Sequence, residues 1–406
     1  MRIFGAIRPP AIGPFRDGAF TSSARSERTA AILGIALGVS FFTCFATGLY
    51  SHLAQHPPAW FHLSARPAGL YRFTQGLHIA TGLASIPLLF AKLWTVFPKL
   101  FAWPPFQGVA SLLERLSLLP LVGGAVFMLF SGLANINLWY PWPFNFPIAH
   151  YWVAWITIGA LVIHIGAKIS TTRAALRRGG AEGVDGDASQ SATVITGDPD
   201  ATSPTPANGM SRRQLLATAF GVSGLVTLVT VGQTYAPLRK LALLAPRRPD
   251  TGPQGFPVNR TARAAGVTET ARSGDYRLEV TGRVPNPITL DLEQILAMRQ
   301  HSATLPIACV EGWSTTQRWE GIRLRDVLAL AGVTGSRAVR IESLQQHRSY
   351  RSSIVDADQV ADPDTLLALR VNGETLELDH GYPLRLIGPN RPGVMQTKWI
   401  ARVVVL

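Results

Sequence analysis

The sequence predicts an all-α transmembrane four-helix bundle with a fifth anchoring helix, followed by a C-terminal α+β domain. Three observations carry that expectation. Of 406 residues, 47% are hydrophobic, and they concentrate in runs long enough to cross an apolar layer of roughly 30 Å. A polar stretch rich in Gly, Asp, Ser and Pro interrupts the runs, and beyond it the pattern changes to short β-rich segments alternating with short helices.

The spans fall at 29–50, 72–97, 116–138 and 148–169, with a weaker, Gly- and Thr-rich one at 214–236. They define a tail (1–28), a four-helix membrane domain (29–178), a flexible linker (179–210), a signal-like anchor (211–236) and a soluble domain (250–406). In the last, Tyr276–Val284 alternates as a strand and Asp291 caps a helix running to about Met298. Leu324–Leu330 reads as a second helix, and further strands are expected near 338–343, 367–371, 384–387 and 398–405.

The net charge of +13 is not spread evenly. The first 249 residues hold 20 basic and 8 acidic residues, the remainder 18 and 17. The excess therefore belongs to the membrane half, where it sets topology and meets anionic lipid, and a nucleic-acid partner is excluded. Arg2, Arg8, Arg16, Arg25 and Arg28 precede the first span, Lys92, Lys99 and Arg115 lie between the second and third, and Lys168, Arg173, Arg177 and Arg178 follow the fourth. This places the N-terminus and the linker in the cytoplasm of a multi-pass cell-membrane protein. Ser211-Arg212-Arg213-Gln214-Leu215-Leu216 resembles a twin-arginine export signal, which would carry a folded, cofactor-loaded domain outward; a plain basic anchor reads as well. Arg239, Lys240, Arg247 and Arg248 beyond the fifth run oppose the outward reading under the same rule.

Histidines inside spans are costly and normally face a bundle interior with a function. His78 sits among Gly76, Ala80 and Gly82, small residues that let a planar macrocycle approach. His150 and His164 share the fourth span, about 40° apart around the helix and about 21 Å apart along it. His78 and His150 are expected to ligate haem iron, against packing and an interfacial His150 as the bland alternative. This stretch resembles the bacterial four-helix b-type cytochromes with two haems. The resemblance pairs His78 with His150 and makes His164 a candidate ligand of a second haem b. The remaining ligand of that family has no counterpart in Glu27–Gly34, so one haem is the expectation and a second stays open.

Two cysteines, Cys44 and Cys309, exclude a disulfide framework and a cysteine-rich metal site. In Leu305-Pro306-Ile307-Ala308-Cys309-Val310-Glu311-Gly312-Trp313-Ser314 an apolar strand runs into a polar loop at the cysteine, where a thiolate can ligate a soft metal; alone, such a cysteine is more often a small buried hydrophobe. The segment, with Pro257-Val258-Asn259-Arg260, His380-Gly381-Tyr382-Pro383-Leu384-Arg385-Leu386 and Lys398-Trp399, resembles the molybdopterin-binding domain of the sulfite oxidase superfamily, and within it the periplasmic methionine-sulfoxide reductase branch. The resemblance implies molybdenum held by Cys309 and one molybdopterin, with Asn259, Arg260, Arg385, Arg391 and Lys398 as donors to the pterin and its phosphate. Glu311 is the candidate catalytic acid or base, with an exposed loop Glu as the alternative. Val310–Thr316 lacks the arginine that sulfite oxidases place after the cysteine, which disfavours sulfite; Arg318, Arg348 and Arg351 are the basic residues that could approach from elsewhere. The expectation is a membrane oxidoreductase exchanging electrons with a quinone or quinol through haem and acting on a small-molecule or protein oxo substrate such as a sulfoxide. The alternative is an electron-carrying cytochrome whose exported domain binds a partner without turnover.

Overall fold

Long, largely apolar runs give long helices, many of whose apolar side chains stay exposed. A computed structural model of the chain describes residues 13–15, 19–20, 22, 24–101, 109–185, 210–346 and 350–406. It contains α1 (Glu27–Gln55), α2 (Leu70–Val96), α3 (Val109–Ile136), α4 (Phe146–Asp185) and α5 (Arg212–Val231), five helices long and apolar enough to cross a membrane. Val39, Phe90, Leu119, Ile163 and Leu225 are each more than half exposed on them, an arrangement that suits hydrocarbon and not water. Helix α4 continues to Asp185, so the linker expected from 179 begins later. The rest of that linker, most of the 1–28 tail with Arg2, Arg8 and Arg16, and Arg348 lie outside the described residues. Ser211 and Gln214 of the twin-arginine-like motif form a reciprocal N-terminal cap on α5, Gln214 N donating to Ser211 Oγ at 3.3 Å and Ser211 N to Gln214 Oε1 at 2.9 Å.

The C-terminal elements are α6 (Ala262–Ala265), α7 (Thr268–Arg272), β1 (Arg277–Gly282), β2 (Ile288–Asp291), α8 (Leu292–Ala297), β3 (His301–Ala308), β4 (Ser314–Arg323), α9 (Leu324–Leu330), β5 (Val339–Ser343), β6 (Ser352–Val355), α10 (Ala357–Ala361), β7 (Leu366–Val371), β8 (Glu374–Thr375), β9 (Arg385–Ile387) and β10 (Ile400–Val405). One sheet has the order β2-β1-β10-β5-β6, with β1 and β10 parallel and the other pairs antiparallel. The other runs β3-β4-β7-β8, with β9 also on β7. Pro306 is tolerated because β3 is an edge strand, paired only with β4. Asp291 caps α8 through a capping box with Gln294. The first sheet buries Leu278, Val280, Ile341, Val403 and Ile400 with Leu324, Val327 and Leu328 of α9, each contributing roughly 1.5–3 kcal/mol. The second buries Leu305, Ile307, Trp319, Leu366 and Ile387 around Phe256 and Cys309.

By contacts the chain forms two compact units, and their boundary does not follow the linker. The first comprises 1–45, 81–133 and 141–227; the second comprises 46–80, 134–140 and 228–406. The C-terminal domain therefore folds together with the C-terminal ends of α1 and α3, the N-terminal part of α2 and the end of α5.

Candidate active site

The last pair of the β3–β4 hairpin is Ala308 with Ser314, and Cys309 begins the five-residue loop that closes it. Cys309 N donates to Trp313 O at 2.9 Å and Gly312 N to Cys309 O at 3.1 Å. The loop turns through Gly312 at φ +94, a conformation that other residues rarely adopt. Cys309 is buried. Burial first, and the Glu311 carboxylate second, push its thiol well above the usual range. A cation bound to the sulfur would offset that penalty, and a metal is one such cation.

Beside the sulfur lies a small cavity lined by Phe256, Pro257, Asn259, Ile307, Cys309, Trp313, His380, Arg385 and Gly393. Gly393 packs so closely that a Cβ there would stand 2.8 Å from Ala308 O, which ties the far wall to the cysteine. His380 stacks on Phe256 with ring centroids 3.7 Å apart. Burial and the neighbouring Arg385 lower its pKa to about 4, so it is neutral at pH 7 and its Nε2 donates to Pro253 O at 2.8 Å.

The polar residues expected at the cofactor divide into distinct placements. Arg385 and Asn259 line the cavity. Arg385 is fully buried with its pKa depressed to about 9 by burial; its Nη1 donates to His380 O at 2.9 Å, while its Nε is buried without a partner. Lys398 Nζ donates to Arg260 O at 2.6 Å and Asp379 O at 2.8 Å, and burial holds its pKa well below the usual value. Arg260 contributes that carbonyl, its guanidinium donating to Ala264 O at 3.0 Å. Arg391 donates to Gln359 Oε1, to Ile354 O and to Met395 O and does not line the cavity, so its guanidinium braces the fold. Among the described residues, no carboxylate lies within ion-pair distance of Arg385, Arg391 or Lys398. Buried cations without counter-ions are costly; an anionic cofactor at this cavity would offset that cost. The residues present fit a phosphorylated pterin with a thiolate-bound metal.

Glu311 is not an exposed loop residue. It is 9% exposed, accepts from Trp313 Nε1 at 3.2 Å and lies 3.7 Å from Arg247 Nη1. Arg247, which opposed the expected topology, thus lies against the Cys309 loop, and also donates to Val258 O. Asn135 of α3 and residues just beyond α3 and α5 hold the same loop, a role invisible in the sequence. Asn135 Nδ2 donates to Val310 O at 3.1 Å and Tyr140 to Asn135 Oδ1 at 2.9 Å. Thr234 Oγ1 donates to Gly312 O at 3.0 Å, and Ser314 N to Gln233 O at 2.9 Å. A Cβ on Gly312 would lie 3.0 Å from Ile79 Cδ1, and Ile79 follows His78 directly. Tyr71 packs against Ala308, and its amide donates to Asn390 Oδ1 at 2.8 Å.

Of the three histidines on the apolar helices, His78 lies in the second unit and His150 and His164 in the first. In the second, His78 Nδ1 is 3.2 Å from Thr47 Oγ1. In the first, His150 Nδ1 is 3.1 Å from Ser131 Oγ, with its ring 5.0 Å from Phe146; His164 lies half-buried four turns further along α4.

Fold and site together define a cofactor-dependent oxidoreductase domain anchored to apolar helices. Residues 265–406 match the family described as the oxidoreductase molybdopterin binding domain, and the C-terminal domain is a molybdopterin-binding oxidoreductase domain. Similar proteins include sulfite oxidase of Arabidopsis thaliana, 29% identical over 165 residues (32% of this chain, 42% of that one), and the protein-methionine-sulfoxide reductase catalytic subunit MsrP of Gluconobacter oxydans, 34% identical over 146 residues (32% and 47%). A putative protein-methionine-sulfoxide reductase subunit, YedZ1, of Azospira oryzae is 30% identical over 133 residues (33% and 50%). The chain spans half or less of the length of each of these relatives.

Proposed function

We propose that the protein is a membrane-bound molybdenum-cofactor oxidoreductase of the cell membrane, its catalytic domain on the outer side, that takes electrons from quinol through b-type haem and reduces a sulfoxide or another oxo compound. The observation that carries this reading is the seat of the Cys309 loop. Val310, Gly312 and Ser314 are each held by residues at the ends of α3 and α5, and Gly312 meets the side chain next to His78. Such a seat brings the metal ligand's own loop to the helix bearing a haem-ligand candidate, without a swinging domain.

When bound, the molybdenum cofactor supplies two-electron oxygen-atom transfer, and haem supplies one-electron steps from quinol. The chain's own residues do the rest. Cys309 offers the sulfur ligand. Arg385 and Asn259 face the cavity as donors, and Lys398 fixes the Arg260 segment beside them. Glu311, held by Trp313 and Arg247, orients polar groups at the metal loop and is the carboxylate placed to exchange a proton there. Phe256, Ile307 and Trp313 keep water from the sulfur. Sulfite is disfavoured as substrate: Arg318 is paired with Glu320 at 3.3 Å, and Arg351 is an exposed residue donating to Gln346 O. Similarity to the methionine-sulfoxide reductases supports a sulfoxide.

Metal analysis of purified wild type and Cys309→Ser tests the centre: stoichiometric molybdenum lost in the variant is expected, and equal, near-zero metal in both would sink the proposal. Haem spectra of His78→Ala and His150→Ala test the membrane half, and unchanged haem would remove it. Screening oxidants against the dithionite-reduced haem band identifies the substrate.

A further inference from the structure

Hydroxyls inside membrane helices ordinarily donate back to their own helix, and most here do. Thr43 donates to Val39 O, Ser85 to Thr81 O, Thr95 to Ala91 O and Thr157 to Val153 O, all at 2.7–2.8 Å. Thr47 and Ser131 in addition meet an imidazole on a neighbouring helix: Thr47 of α1 reaches His78 Nδ1 at 3.2 Å, and Ser131 of α3 reaches His150 Nδ1 at 3.1 Å. In each case the next residue is a glycine lying against the same ring. A Cβ on Gly48 would be 3.1 Å from His78 Cε1, and one on Gly132 would be 3.9 Å from His150 Cε1. One device, a hydroxyl followed by a glycine, thus meets both histidines in two separate units.

Ser131 also donates to Met128 O at 3.4 Å. A hydroxyl that donates there keeps lone pairs that can accept an Nδ1–H, and a histidine in that tautomer carries its ring lone pair on Nε2. That is the tautomer in which Nε2 binds a metal and Nδ1–H is anchored by a second group.

We propose that Thr47 and Ser131 are positioning residues for haem ligation: each accepts from Nδ1–H of its histidine, fixes the ring's orientation and tautomer, and makes Nε2 a more basic ligand. This rests on the haem reading above. A more basic ligand favours ferric iron, so removing the hydroxyl raises the potential.

The test is a spectroscopic redox titration of the full-length protein in detergent, comparing wild type with Thr47→Val, Ser131→Ala and the conservative Thr47→Ser and Ser131→Thr. Deleting a hydroxyl is expected to shift the ferric-to-ferrous equilibrium about tenfold, ~59 mV upward for a one-electron couple, with the conservative variants staying near wild type. Loss of haem from Thr47→Val that Thr47→Ser restores also supports the proposal. Full haem content with unchanged potential and an unchanged low-spin EPR signal in the deletion variants overturns it, as does an equal shift or loss in the conservative ones. A wild-type protein without a haem band overturns both this proposal and the haem reading; retained haem with an unmoved potential overturns this one alone.

Discussion

Acidification should destabilise the catalytic domain through a single imidazole. His380 is 1% exposed, stacked on Phe256, hydrogen-bonded to Pro253 O and crowded by Arg385, and its pKa falls from the ordinary 6.5 to about 4. Between those values the unfolded chain binds more protons than the folded one. Stability therefore rises with pH across the window and falls as pH drops from 6.5 toward 4. At about 1.4 kcal/mol per pH unit the separation corresponds to about 3 kcal/mol, a large part of the stability of a typical domain. His380→Gln keeps a donor for Pro253 O and removes the titration. In urea unfolding of the detergent-solubilised protein at pH 7.5 and pH 4, the wild type should lose about 3 kcal/mol more than the variant. Equal losses would refute the argument, because every other titrating group is common to both proteins.

Tyr276 donates to Ile400 O at 2.6 Å from within the core, so Tyr276→Phe leaves a buried carbonyl unsatisfied and should cost about 1–3 kcal/mol in urea midpoint, with molybdenum content unchanged. Gly312→Ala forces a side chain onto a φ of +94 with Ile79 Cδ1 and Gln233 Nε2 about 3 Å away. It should cost roughly 1–3 kcal/mol from the backbone alone and slow quinol-driven turnover more than viologen-driven turnover, measured side by side. Arg66 bridges Asp362 at 2.8 Å and Asp364 at 2.6 Å while itself half exposed. Arg66→Ala should therefore cost no more than about 1 kcal/mol, a difference in melting temperature that vanishes in high salt.

What the sequence showed and what it hid follow the range of the interactions involved. The five apolar runs, the Asp291 cap and the Leu324–Leu330 helix depend on neighbours a few residues away, and all are visible as local pattern. Strand β4 carries no local signal, since Thr315, Thr316, Gln317 and Arg318 are polar in succession; Trp319 at 0% exposure anchors it and its register is set by β3 and β7. The Cys309 segment stands out in the sequence through its neighbours, but the grip on its loop does not, since Asn135, Thr234 and Arg247 are unremarkable until the chain brings them to Val310, Gly312 and Glu311. A weaker signal was present. Thr43, Thr47, Ser51 and Gln55 recur every four residues on α1, and Tyr71, Gln75 and His78 share a face of α2. The structure joins these stripes through Thr47 with His78 at 3.2 Å, Ser51 with Tyr71 at 3.0 Å and Ser51 with Gln75 at 3.3 Å. Polar side chains at helical spacing within apolar helices must find partners there. The stripe therefore foretold a polar seam beside His78, and only the fold could say that Gln55 at its end would accept from Tyr350 of the catalytic domain, at 3.2 Å.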